Sequence, residues 1–102
     1  MDSFAKRVNE ALNADRPTLL MFYDKNDERA MRELAVARDA GYRLNDQANI
    51  IEIDVNAEPE LAAKYHVRNV PAFILFSDGQ EAWRTVGSIA YAEIKDMVKR
   101  FE

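Results

Sequence analysis

Two six-residue stretches without a charge, Thr18–Tyr23 (TLLMFY) and Pro71–Phe76 (PAFILF), constrain the fold of this chain more than any other feature. A short apolar run that does not alternate with polar residues reads as a strand covered on both faces, held in a sheet between helix layers. The rest of the chain supplies those layers. Phe4, Val8 and Leu12, with Ala5 and Ala11, form an apolar stripe at helical spacing over Asp2–Ala14. Asp2 or Ser3 serves as its N-cap, and the helix stops ahead of Pro17. A second stripe, Ala30, Leu34, Ala37, Gly41 and Leu44, steps by four and three through a helix from Asp27 to about Asn45. Asn26 or Asp27 caps it, and Asp27 and Glu28 suit the positive end of its dipole. Gly41 costs about 1 kcal/mol against alanine inside a helix and marks close packing or a bend.

Ala48–Val55 reads as another strand, with Ile51, Ile53 and Val55 on one face and Ile50, Glu52 and Asp54 on the other. Pro59 fits the first turn of a short helix over Glu58–Tyr65. Ser77-Asp78-Gly79-Gln80 turns the chain from the second apolar run into Glu81–Val86. Asp-Gly between strands is a strong hairpin signal. Gly87-Ser88 breaks that strand, and Ala90–Phe101 is an amphipathic helix with Ile94, Met97, Val98 and Phe101 inward. Trp83, on the hairpin, is expected to pack under that helix. The order α-β-α-β-α-β-β-α predicts an α/β fold: a four-stranded mixed sheet flanked by helices on both faces. The expected strand order is 48–55, 17–23, 71–77, 80–86. A length of 102 residues fits a single domain over 1–102.

Composition narrows the function classes. The chain has 14 basic and 18 acidic side chains, net −4, so no nucleic-acid partner is expected. No apolar run approaches the roughly 20 residues of a membrane span, so no membrane partner is expected either. The opening Met1-Asp2-Ser3-Phe4 lacks a charged-then-apolar signal segment, which reads as a cytoplasmic chain. There are no cysteines, which removes disulfides, thiolate metal sites and thiol nucleophiles together.

One set of residues carries a family likeness. Pro17, Phe22-Tyr23, Ile53-Asp54-Val55-Asn56, Pro59, Lys64-Tyr65, Val70-Pro71, Phe73–Phe76, Asp78-Gly79 and Val86-Gly87, in this order, resemble the thioredoxin family over most of the chain. The resemblance implies the thioredoxin-like fold, beginning at the first helix without the family's N-terminal strand. The family's Cys-x-x-Cys falls on Asp27-Glu28-Arg29-Ala30, a degenerate motif with neither sulfur. Its buried acid falls on Met21 and the lysine that often neighbours that acid on Glu52. The aromatic before the motif survives as Tyr23, while a second aromatic is replaced by Asn26. Sulfur chemistry and its supporting acid are both missing, so the resemblance implies a non-redox member with no catalytic residues. What it retains is the peptide-docking face, with a cis bond expected between Val70 and Pro71. The implied binding residues are Tyr23, Asn26, Asn69, Val70, Pro71, Gly87 and Ser88.

Each candidate also has a plainer reading. Asp27 and Glu28 as an acid–base pair compete with helix N-terminal acids, and the latter is the expectation. Ala30 is a small residue on an inner helix face. His66, the sole histidine, is expected solvated at a helix end rather than metal-bound, and no metal site or cofactor is expected. Glu28, Arg29, Arg32 and Glu33 read as a solvated helix surface with local ion pairs. Val70-Pro71 is a tight turn feeding a buried strand, to which a binding role adds without competing. Two functions follow. One is a redox-inactive chaperone-like or adaptor module that binds a protein or extended peptide, acting as a monomer. The other is an enzyme of the broad family that uses a bound thiol cofactor of the glutathione type, or a member placed in cell redox homeostasis by resemblance.

Overall fold

The computed structural model describes residues 3–102, and the Asp2 cap lies outside the described residues. The elements are α1 (Phe4–Leu12), β1 (Thr18–Tyr23), α2 (Ala30–Arg43), β2 (Asn49–Asp54), α3 (Pro59–Lys64), β3 (Ala72–Ser77), β4 (Gln80–Val86) and α4 (Tyr91–Phe101). The strands form one mixed sheet in the order β2-β1-β3-β4. β1 runs parallel to β2 and antiparallel to β3, and β3 pairs antiparallel with β4.

The absence of alternation in β1 and β3 has a direct cause. Leu19, Met21, Phe73 and Leu75 project into a core shared with Leu34, Ala37 and Ala40 of α2 and Ile94 and Val98 of α4. Leu20, Phe22, Ala72, Ile74 and Phe76 project the other way, against Val8 and Leu12 of α1, Ile53 of β2 and Leu61 of α3. Each fully buried Leu, Ile or Phe contributes roughly 1.5–3 kcal/mol, so both central strands are held from both sides. Trp83, partly buried, packs against the α2/α4 face as expected.

Several local expectations are corrected. Ser3 caps α1, its hydroxyl accepting the Lys6 N–H at 3.1 Å, but Ala5 is exposed and not part of the buried stripe. Neither Asn26 nor Asp27 caps α2. The Asp27 carboxylate instead accepts the Arg29 N–H at 2.9 Å, a local turn that keeps 27–29 outside the helix. Arg29 occupies the cap position and makes no side-chain capping bond to the helix. Gly41 is not demanded by crowding, because a Cβ built there lies 3.8 Å from Ile50 Cβ, an ordinary contact.

Two turns fix the strand and helix ends. Asp78 and Gly79 both have positive φ, 54° and 79°, as a two-residue hairpin loop matched to strand twist requires. The β3/β4 register then slips by one between Leu75↔Trp83 and Phe76↔Glu81, leaving Ala82 over. α3 closes with the Val67 N–H on the Ala62 carbonyl at 2.8 Å and the His66 N–H on the Ala63 carbonyl at 3.1 Å. That closure puts exposed His66 at φ 58°, where glycine is the usual occupant. No helix among the described residues is long and apolar enough to cross a membrane.

Candidate functional site

The sheet delivers three segments to one end. β1 ends at half-buried Tyr23 and runs into the 24–29 loop ahead of α2. The turn before β3 carries Val70 and Pro71, joined by a cis peptide bond. β4 ends at Val86 and leads into Gly87 and Ser88. The Gly87 N–H donates to the Pro71 carbonyl at 2.8 Å, which draws the last two segments together. Gly87 has φ 102°, and nothing stands within 4 Å of a Cβ built on it, so backbone conformation rather than space requires the glycine.

Tyr23, Asp24, Asp27, Arg29, Ala30, Glu33, Val70 and Pro71 line a shallow depression of about 10 Å³, room for about one water. Thus Tyr23, Val70 and Pro71 meet three residues of the degenerate motif. Glu28 is exposed and outside the lining. Asn26 and Asn69 are exposed at its margin in sequence but do not line it. Ser88 lines a neighbouring depression with Arg29, Arg32, Glu33, Val36 and Ile89. The Val70 N–H and C=O make no hydrogen bond within the chain among the described residues, and neither does the Asn69 backbone before it, while the Pro71 carbonyl after it is tied to Gly87.

Glu33 corrects the reading of a solvated charged face. It is 8% exposed, and its Oε1 accepts the Ser88 hydroxyl at 2.6 Å. The signal lay in spacing: Glu33 is three residues after Ala30 and four before Ala37, on the stripe that turns inward. The expected ion pairs within that face are also replaced, since Arg29 pairs with Asp27 at 3.2 Å. Asp24 is a second structural carboxylate beside the depression. Its Oδ1 accepts the Asn26 N–H at 2.8 Å and an amide hydrogen of Asn56. Asn56 in turn donates its N–H to Asp54 Oδ1 at 3.0 Å, so the loops after the parallel strands are tied to each other.

The electrostatics leave little reactivity. Hydrogen bonding from the Arg29 side chain and backbone holds the Asp27 carboxyl below its ordinary range, so it stays ionised and weakly basic. Burial, then the charges of Asp54 and Glu52, push the Tyr23 phenol up and keep it protonated at neutral pH. Met21 is fully buried in the α2/α4 face. Glu52 forms a salt bridge with Arg38 at 3.0 Å. Among the described residues no three His, Asp or Glu side chains are grouped to hold a metal ion. The arrangement offers unpaired main-chain groups at Val70, an aromatic wall at Tyr23 and a pinned loop at Gly87-Ser88.

A family model described as Thioredoxin matches residues 2–100. The chain is 28% identical over 91 residues to thioredoxin Y1, chloroplastic, of Arabidopsis thaliana, covering 89% of this chain and 51% of that protein. It is 37% identical over 49 residues to thioredoxin 1 of Chlorobaculum tepidum, covering 48% of each. The chain thus spans about half the length of these two relatives. It is 27% identical to thioredoxin of Rhodospirillum rubrum, covering 95% of this chain and 93% of that one. Among solved structures, a mutant thioredoxin from Halobacterium salinarum superposes with a TM-score of 0.80 at 23% identity, over 99% of this chain and 87% of that chain. Thioredoxin of Fasciola hepatica gives 0.81 at 22%, over 96% and 90%.

Proposed function

Because the chain belongs to the thioredoxin family yet contains no cysteine, we propose that it is a redox-inactive, non-catalytic member that binds an extended peptide or protein segment across the Tyr23/Val70/Gly87 face. The observation that carries this reading is the Val70 backbone beside the cis bond, whose N–H and C=O have no partner among the described residues. An unpartnered donor and acceptor on a half-buried residue favour an extended segment that completes them, as in strand addition. Tyr23 on one side and Gly87-Ser88 on the other would flank the segment, with Asn26 and Asn69 at the margin. The relatives named above as thioredoxins bear on fold and ancestry. Disulfide exchange itself requires an attacking thiolate, which this chain does not have.

The glutathione-type alternative has less support, because no base or nucleophile stands out at the groove: Arg29 keeps the Asp27 carboxyl ionised and burial holds the Tyr23 phenol protonated. The same proposal has the protein act in the cytoplasm as a monomer, with Glu52 and Asp54 discouraging pairing along the outer edge of β2. A constant dimer mass in light scattering over a wide concentration range refutes the monomer. Amide shift mapping with an extended apolar peptide and, separately, with glutathione tests the groove. The peptide is expected to move Tyr23, Asn26, Asn69, Val70, Gly87 and Ser88. Shifts confined to α4 overturn the proposal, and shifts at the groove from glutathione alone favour the enzyme.

A further inference from the structure

The depression at Val70 and Pro71 shares lining residues with one on each side. Tyr23 is common to it and to a depression of about 220 Å³ lined by Phe4, Glu52, Asp54, Ala57 and Glu58. Arg29 and Glu33 are common to it and to the one of about 260 Å³ that contains Arg32. The two ends have opposite charge. At the Tyr23 end three carboxylates line the wall with two aromatic rings and no lining cation; Arg7 covers the Phe4 ring from 5.4 Å, which leaves Tyr23 as the ring open to a ligand cation. Arg38 engages Glu52, while Asp54 and Glu58 have no cationic partner within 4.0 Å among the described residues. Carboxylates beside aromatic faces favour an ammonium or guanidinium group, through ion pairing and cation–π attraction. At the far end Asp27 engages Arg29, and Ser88 donates to Glu33. Arg32 there is exposed and without an ion pair among the described residues.

We propose that the groove selects an extended segment of dipolar pattern. Its apolar centre lies over Val70 and Pro71, with a lysine or arginine side chain at the Tyr23/Glu58 end and an acidic one at Arg32. This deepens the peptide-binding reading and rests on it. The net charge of −4 alone would favour a uniformly basic peptide. A local gradient along the groove instead rewards charge order, so order separates the two explanations.

The experiment titrates the unmodified protein with five peptides sharing one apolar centre. Their flanks are neutral, Lys at both ends, Glu at both ends, Lys then Glu, or Glu then Lys. One dipolar order is expected to bind about fivefold tighter than the neutral peptide at low salt, from two exposed ion pairs, and to lose that gain at high salt. The double variant Glu58→Lys with Arg32→Glu is expected to prefer the opposite order. Tightest binding by the Lys-flanked peptide overturns the proposal in favour of net charge. Equal binding by all five overturns it while leaving the groove reading intact. If the neutral peptide leaves Val70 unshifted and no dipolar peptide binds, the groove reading falls and this proposal falls with it.

Discussion

The Ser88 hydroxyl donates a 2.6 Å hydrogen bond to Glu33 Oε1, joining the loop after β4 to the first turns of α2 across 55 positions of sequence. A carboxylate that is 8% exposed needs a donor to offset lost hydration, and this one also fixes a wall of the groove. Ser88→Ala should therefore lower stability by about 1–3 kcal/mol, as expected when a buried acceptor loses its partner. Faster exchange of the Gly87 and Ser88 amides should accompany it. A denaturant titration that matches the parent within error would show that the bond carries no weight in solution.

That bond also marks where sequence reasoning stops. β1 and β3 were legible because six uncharged residues in a row have few other solutions, and Asp78-Gly79 declared its turn by residue type. Glu33 was not, because charge argued for the surface while helical spacing argued for the interior, and the distant Ser88 decided between them. The start of α2 was misplaced because Asp27 satisfies the Arg29 N–H within a local turn before the helix begins, a competition between two uses of one carboxylate. Tyr23, Val70 and Pro71 are legible only through the family resemblance. Arg32 as the free charge at one end needed the ion-pair partners of its neighbours.

Two backbone substitutions should stabilise the fold for unrelated reasons. His66 sits at φ 58°, where an L side chain crowds its own backbone. His66→Gly should raise stability by about 0.5–1 kcal/mol after the greater freedom of glycine in the unfolded chain is subtracted. Gly41→Ala should give about as much again, from helix propensity, since the added Cβ meets Ile50 at an ordinary 3.8 Å. Thermal melts of the two variants check both. A lower melting temperature for Gly41→Ala would mean that the α2/β2 contact is tighter than described.

Acid should release the Asp27–Arg29 pair. Arg29 lowers the Asp27 carboxyl from its ordinary 3.8. A depressed carboxyl contributes stability above its unfolded value and loses it as pH falls through the folded one. The contribution is therefore present at neutral pH and fades below about pH 3.8. Because both groups face solvent the effect on stability is small, and the sharper readout is the carboxyl itself. A carbon-detected titration of Asp27 should give a midpoint below 3.8 in the parent, moving up toward it in Arg29→Ala. A parent midpoint at or above that value would mean that the pair does not form.

Disulfide exchange is expected to be absent from the protein as it stands, because it requires an attacking thiolate and the chain has no cysteine. Installing the sulfurs should not be enough. The Ala30 N–H bonds to the Asp27 carbonyl at 3.0 Å, a tight turn that brings the two α-carbons into disulfide range. Asp27→Cys with Ala30→Cys should therefore close a disulfide. Turnover should nevertheless be sluggish, for three reasons visible in the structure. The first thiol would lie ahead of α2, whose cap is Arg29, and not on the helix terminus itself. Asp24 and Glu28 would oppose its thiolate by charge, against the help of Arg29 released from Asp27. Met21 offers no proton acceptor for the second thiol, and it is sealed in the core. Adding Met21→Asp should raise the rate of the double variant, despite the several kcal/mol that a buried carboxylate costs. Reduction of a test protein disulfide by the double and triple variants measures this. Family-like rates from the double variant would show that the acid position matters less than its replacement by methionine implies, and activity in the unmodified protein would overturn the non-redox reading.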